Sequence, residues 1–183
     1  MDKRFFLSFI LIAFWVNLLA QGKFMCTDGQ IVFFSHTAIE DITAENKEVA
    51  SVIDTENGEV AVIVKITAFQ FEKKLMQDHF NENYMESELF PKATFMGIIL
   101  NNEKIDYATQ RTYQIQVEGD MTIHGVVQSI SEPAVLEVKA DGLFVSMKFM
   151  LDPTDYGIKI PRVVRKNIAE RLEISVNLKH TPI

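Results

Sequence analysis

The chain carries a single cysteine, Cys26, so no disulfide can form within it. Metal-ligand spacing is absent as well. His36, His79 and His124 fall in no H-x-x-x-H or H-x-x-E-H arrangement, and Cys26 has no partner at ligand spacing. Their roles are therefore read as structural or hydrogen-bonding. There is no Gly-x-Ser-x-Gly elbow, and nothing in the pattern would orient a histidine toward Ser35 or place Asp120 behind it. No glycine-rich phosphate loop occurs, which disfavours nucleotide binding. Basic side chains are few, 18 against 25 acidic, for a net charge of −7. That balance, without any Lys/Arg cluster, argues against nucleic acid and against electrostatic docking on anionic lipid. What is missing points to a protein that is not an enzyme and holds no metal.

Long apolar runs are confined to the start. Lys3 and Arg4 precede Phe5–Leu19, almost wholly apolar, and Ala20–Gln21 offers a small residue behind which a signal peptidase can cut. The apolar run is about 15 residues, short of the ~20 needed to span a bilayer. Residues 1–20 are thus expected to be a signal peptide and 21–183 one exported domain with no integral membrane span. Without that leader the chain keeps 16 basic and 24 acidic side chains, a net charge of −8. One domain of this size buries roughly 70% of its unfolded surface and needs no staples.

Beyond residue 21 the dominant period is two. Ile31–Phe33–Ser35, Val60–Val62–Val64–Ile66, Tyr113–Ile115–Val117, Leu143–Val145–Met147–Phe149–Leu151 and Leu172–Ile174–Val176–Leu178 each place alternate residues on one face. Asn57–Gly58 and Asp141–Gly142 are hairpin signals. Val49–Ile53, Ala93–Leu100 and Ala134–Lys139 complete a set of about eight strands, with no βαβ rhythm. The sequence predicts an all-β antiparallel sandwich or barrel. Thr37–Lys47 is polar and reads as a loop or a single helical turn, and a short helix is expected after Pro161.

One stretch breaks the alternation. From Leu75 the period lengthens, so that Met76, Phe80 and Tyr84 recur every four residues with Leu75 and His79 beside them, until Pro91 stops the run. This is a helical lid inserted between two strands. Glu82, Glu86 and Glu88 on it read as a solvated face. The lid either plugs the end of a barrel or covers something held inside. An eight-stranded barrel is just wide enough for side chains or one small ligand. The inward residues are of medium size, and Gly97 and Gly119 leave gaps among them. The pattern alone does not separate a filled core from a lumen with room for an elongated guest.

Two stretches carry a family likeness. His79–Phe80, Tyr84, Phe90–Pro91 and Phe95 resemble one signature of the YceI-like family, and Gly119-Asp120-Met121-Thr122-Ile123-His124-Gly125-Val126 resembles its Gly-Asp-Leu-Thr-Ile-x-Gly-Val run. Asp155–Tyr156–Gly157 and the last strand fit too, so the likeness spans roughly Thr27 to Leu178. Val127–Gln128 stands where that family has Thr-Lys, and the lid is more acidic than its usual one. The resemblance implies an exported, lipocalin-like, eight-stranded antiparallel barrel that binds a polyisoprenoid or related amphiphilic lipid, in a bacterial periplasm and compatibly with a homodimer. The lipid would be a non-covalent ligand rather than a cofactor. By parity its tail would meet Phe33, Val62, Phe95, Met121, Val145, Met147, Phe149 and Ile174, with Phe80 and Tyr84 capping it and a polar head near His79 or Tyr84. The rival reading is a filled-core barrel acting as a protein-interaction module.

Overall fold

Nine strands follow one another in the computed structural model, which describes residues 22–183. The leader expected at residues 1–20 lies outside the described residues. The strands are β1 (Lys23–His36), β2 (Asp41–Asp54), β3 (Glu59–Lys65), β4 (Gln70–Phe71), β5 (Lys92–Ile99), β6 (Arg111–Ile123), β7 (Val126–Lys139), β8 (Gly142–Leu151) and β9 (Leu172–Pro182). Every pairing is antiparallel. The order β1-β9-β8-β7-β6-β5-β3-β2 closes on itself because β1 also pairs with β2, while the two-residue β4 adds only to β2. The eight long strands form a closed barrel, which removes the exposed edges that an open sheet would leave.

The tight turns follow the turn chemistry. Gly58 takes φ +78° after Asn57 and closes the β2–β3 hairpin through its N–H to the Asp54 carbonyl at 2.8 Å. His124 and Gly125, at φ +51° and +74°, make the two-residue β6–β7 turn. Here a non-glycine residue accepts the left-handed conformation.

Two strands are longer than the alternation predicts. Residues 41–47 are not a loop: they pair with β1 through Ile42↔Ser35, Ala44↔Phe33 and Asn46↔Ile31, and only 37–40 turn. The inward residues there are Ile42, Ala44 and Asn46; Ala44 is too small and Asn46 too polar to continue a hydrophobic face from Ile42. Asn46 is fully buried, yet its side chain donates to the Lys65 carbonyl and accepts from the Glu48 N–H, so its burial leaves nothing unpaired. Likewise β7 begins at Val126 rather than near Ala134, hidden by Gln128, Glu132 and Pro133. Pro133 is tolerated because β7 pairs with β8 only over Val135–Lys139, which leaves its first half with a single partner, β6. No helix follows Pro161. Residues 162–167 form consecutive turns, with the Val164 N–H bonded to the Pro161 carbonyl and the Asn167 N–H to that of Val164.

The glycines expected to leave gaps instead bring strands together. Gly97 and Gly119 face each other across β5 and β6. A Cβ at Gly97 would lie 2.3 Å from the Glu118 carbonyl oxygen and 2.5 Å from Phe95 Cζ. The Phe95 ring has already filled the space above Gly97. Gly97→Ala should therefore cost about 3 kcal/mol, the upper end of overpacking penalties, read as a lower denaturant midpoint at unchanged slope. An unchanged midpoint would refute this close approach.

His180 on β9 is fully buried and shares a 2.9 Å hydrogen bond between Nε2 and Ser51 Oγ. Burial pushes its pKa down to about 4, against a weaker opposing pull from the Leu143 backbone. With the folded value depressed, the unfolded chain binds the extra proton first. The stabilisation is complete above the unfolded value near 6.5 and is lost as pH falls through about 4. Between pH 7 and 4 the native protein should lose ~3 kcal/mol more stability than His180→Gln. Parallel losses in urea titrations of the two would overturn the assignment.

Candidate functional site

The inward side chains divide the barrel into two halves. Toward the end formed by the β2–β3 and β7–β8 turns, Cys26, Val49, Ile53, Ile99, Leu136 and Leu143 are almost entirely buried. Tyr107, from the β5–β6 connection, plugs that end and bonds through its hydroxyl to Asn102 Oδ1 at 2.6 Å. Burial raises the Cys26 thiol pKa, so it sits there as a small apolar residue. Toward the other end, Phe33, Val62, Phe95, Met147 and Phe149 point inward but are only partly buried. The surface they retain faces a cavity.

That cavity has a volume of about 280 Å³, nearly twice the ~150 Å³ of an engineered apolar cavity that admits benzene. Among the described residues its wall holds no charged side chain, and Ser35, Thr94 and Tyr84 are the polar ones on it. All ten residues singled out from parity and lid spacing line it: Phe33, Val62, Phe80, Tyr84, Phe95, Met121, Val145, Met147, Phe149 and Ile174. The lid half of the barrel is thus not a filled core. The cavity also reaches Ile130 and Leu151, where β7 and β8 have parted.

Two long connections cover this end. The first runs from β3 to β5 and holds α1 (Lys74–His79), followed by a wider turn, Phe80–Tyr84, closed by the Met85 N–H on the Phe80 carbonyl. Widening the helix at Phe80 rotates the following residues, so that Met76, Phe80 and Tyr84 all meet the cavity although the helix proper ends at His79. Phe69, Phe71 and Phe80 pack with Phe33 of β1, with ring centroids 5.1–5.7 Å apart. Contacts of this kind add about 0.5–1.5 kcal/mol per pair beyond area burial, and they seat the lid on the barrel. Farther along, Glu86 Oε2 lies 2.9 Å from Nε2 of His124, whose ring packs on Phe90 at 4.4 Å. His124 thereby fastens the lid to the β6–β7 turn.

The second connection, from β8 to β9, contributes Pro153, Ile158, Ile160 and Ile168 to the cavity wall. Residues of both covers meet, Met85 packing with Tyr156 and Ile158. Ser35 Oγ accepts from the Ala169 N–H at 2.8 Å. Glu40, in the β1–β2 turn, holds both covers at once, with Oε1 3.0 Å from Lys73 Nζ and Oε2 3.2 Å from Asn167 Nδ2. The Lys73 contact first, and then the Asn167 amide, keep its carboxyl below the usual range.

Parity reasoning missed Ile158, Ile160 and Ile168. Alternation of Ile158 and Ile160 in an otherwise polar, charged segment was the available signal. It also overlooked the basic residues of that segment: Lys159, Arg162, Arg165, Lys166 and Arg171 lie within 13 residues and are all exposed, so a Lys/Arg cluster does exist. His79 is exposed and does not line the cavity, which leaves Tyr84 as the lid's polar group on its wall. Ser35 and His36 face opposite sides of β1. Ser35 is buried on Ala169, whereas His36 is outside, 2.6 Å from Asp41. Asp120 bonds to Ser129 at 2.7 Å. These side chains do not form a nucleophile–base pair.

Solved structures share this architecture. A polyisoprenoid binding domain from Saccharophagus degradans, implicated in plant cell wall breakdown, superposes with a TM-score of 0.74 at 14% identity, over 89% of this chain and 99% of that one. BcnA of Burkholderia cenocepacia gives 0.68 at 14% identity, over 82% and 94%. A YCEI protein of Campylobacter jejuni gives 0.59 at 18% identity, over 81% and 88%. No curated protein matches the sequence. A family model described as the YceI-like domain matches residues 20–180, nearly the whole chain, and this protein belongs to that family.

Proposed function

We propose that this protein binds an amphiphilic lipid with a polyisoprenoid-like tail, holding it without catalysis for carriage or storage in an exported compartment. The observation that carries this reading is the uncharged cavity of about 280 Å³ between the packed half of the barrel and its two covers. The similarity to the polyisoprenoid binding domain of Saccharophagus degradans supports it at the level of fold. The tail lies along Val62, Phe95, Met121, Met147 and Phe149, and the polar end sits beneath Tyr84.

An apolar wall is sufficient for such a ligand. Each methylene removed from water contributes ~0.8 kcal/mol, so about 15 buried carbons gain ~12 kcal/mol gross. Lost motion of ligand and protein offsets a large share, and the remainder gives useful affinity without a charged contact. A head group meets only the Tyr84 hydroxyl, Ser35 and Thr94, so selectivity falls mainly on tail shape and length. The interaction-module alternative is told apart by cavity volume together with extractable lipid, and the unfilled lid half of the barrel supports the lipid reading over it.

Native mass spectrometry of protein purified without detergent, with organic extraction, tests the proposal. The expected result is one isoprenoid-type lipid per chain. Met147→Trp, which places a bulky ring in the cavity, should abolish uptake of added polyprenol while leaving the unfolding midpoint near that of the native protein. An empty protein that also refuses added polyprenol would sink the proposal.

A further inference from the structure

Exposed apolar side chains gather at the covered end of the barrel. Ile39 in the β1–β2 turn is 60% exposed, Leu75 on α1 65% and Val163 in the β8–β9 connection 89%. These three belong to different segments, and the three segments are the ones that Glu40 ties together through Lys73 and Asn167. None of the three side chains lines the cavity. They project from the rim above it.

The same connection is the one strongly basic part of an acidic chain. Residues 159–171 carry Lys159, Arg162, Arg165, Lys166 and Arg171 against the single acid Glu170, in a protein of net charge −7. Among the described residues none of these five basic groups has a carboxylate within 4.0 Å, whereas Lys73 and Lys74 are paired with Glu40 and Asp78. Of the lid's acids, Glu86 is held away from this loop at the β6–β7 turn. Inside and outside of the loop differ in kind. Ile160 and Ile168 face the cavity, while Arg162, Val163, Arg165 and Lys166 face solvent.

We infer that this rim, Val163 with Arg162, Arg165 and Lys166 at its centre and Ile39 and Leu75 beside it, docks on an anionic membrane surface. The inference rests on the lipid-binding reading above. Apolar tips ringed by unpaired cations match the boundary between acyl chains and negative head groups. The residues protrude from two connecting turns and from α1 as separate apolar tips beside cations, which suits a bilayer rather than an acidic protein. Docked in this way, the loop that forms one wall of the cavity is also the part in contact with the lipid source. Acidity elsewhere on the protein keeps the rest of its surface away from the membrane, so approach is oriented.

Co-sedimentation with vesicles tests this, using neutral phosphatidylcholine and mixtures in which a third of the lipid is phosphatidylglycerol. The full-length mature protein should bind the anionic vesicles selectively and lose binding as salt rises. The combined variant Arg162→Glu, Arg165→Glu, Lys166→Glu should weaken partitioning by on the order of 100-fold, at about fivefold or more per basic side chain. Val163→Asp should weaken it as well. Both variants should still take up polyprenol delivered from solvent. Equal binding to both vesicle types, or binding unaffected by charge reversal, overturns the docking surface, and binding to neither turns attention to an acidic protein partner. Met147→Trp separates the two proposals: it should dock like the native protein yet carry no polyprenol. Failure of polyprenol uptake by the native protein would count against the cavity reading rather than the rim.

Discussion

The closure of β1 onto β2 is the interaction on which the rest of this structure depends. β1 is hydrogen-bonded to β9 on one side and to β2 on the other, and without the second pairing the sheet would remain open. It also carries Phe33, the seat of the lid, and Ser35, which holds the β8–β9 connection at Ala169. Its turn into β2 supplies Glu40, which reaches both covers. The strand that completes the barrel therefore also fixes what lies over its mouth. On the other edge of β2 the buried Asn46 bonds through its side chain to backbone groups where β2 and β3 separate.

A closed eight-stranded barrel can either be filled by its own side chains or leave room for a guest, and this one does both along its axis. The packed half, sealed by Tyr107, gives the fold its stability. The other half forgoes it: on the scale of ~24 cal/mol per Å³ of residual cavity, an apolar space of about 280 Å³ leaves several kcal/mol of packing unrealised. A bound tail would recover part of that deficit, so binding and stability are coupled in such an architecture. The aromatic cluster of Phe33, Phe69, Phe71 and Phe80 makes the cover a packed structure with its own cohesion.

Charge is as unevenly distributed as packing. A net charge of −7 describes the whole chain and no particular face of it. The field met by a flat surface is set by the side chains within a Debye length of it, about 8–10 Å in ordinary salt. The unpaired cations of residues 159–171 dominate one rim for that reason, although acids outnumber bases overall.

The alternation of Val60–Ile66, Leu143–Leu151 and Leu172–Leu178 was enough to establish an all-β antiparallel chain and to name the residues facing inward, since period two is a property of the extended backbone itself. The lid too was legible, because Met76, Phe80 and Tyr84 keep a helical spacing before Pro91. Strand pairing was legible only where the inner face was apolar. Ala44 and Asn46 in β2, and Gln128 and Glu132 in β7, hide their inward parity behind small or polar side chains, and Asn46 and Gln128 are accommodated by bonds to Lys65 and Asp155, distant in sequence. Whether the lumen is filled was never a local question. By sequence Gly97 opens space, but the ring of Phe95 occupies it, while the real cavity arises where medium-sized side chains from opposite walls fail to meet beneath two covers. Sequence alone determined which residues point inward, through the geometry of each strand. The tertiary structure decided which of them touch and which face empty space, because barrel diameter, the divergence of β7 from β8 and the seating of the covers are set by pairings between residues far apart in the chain.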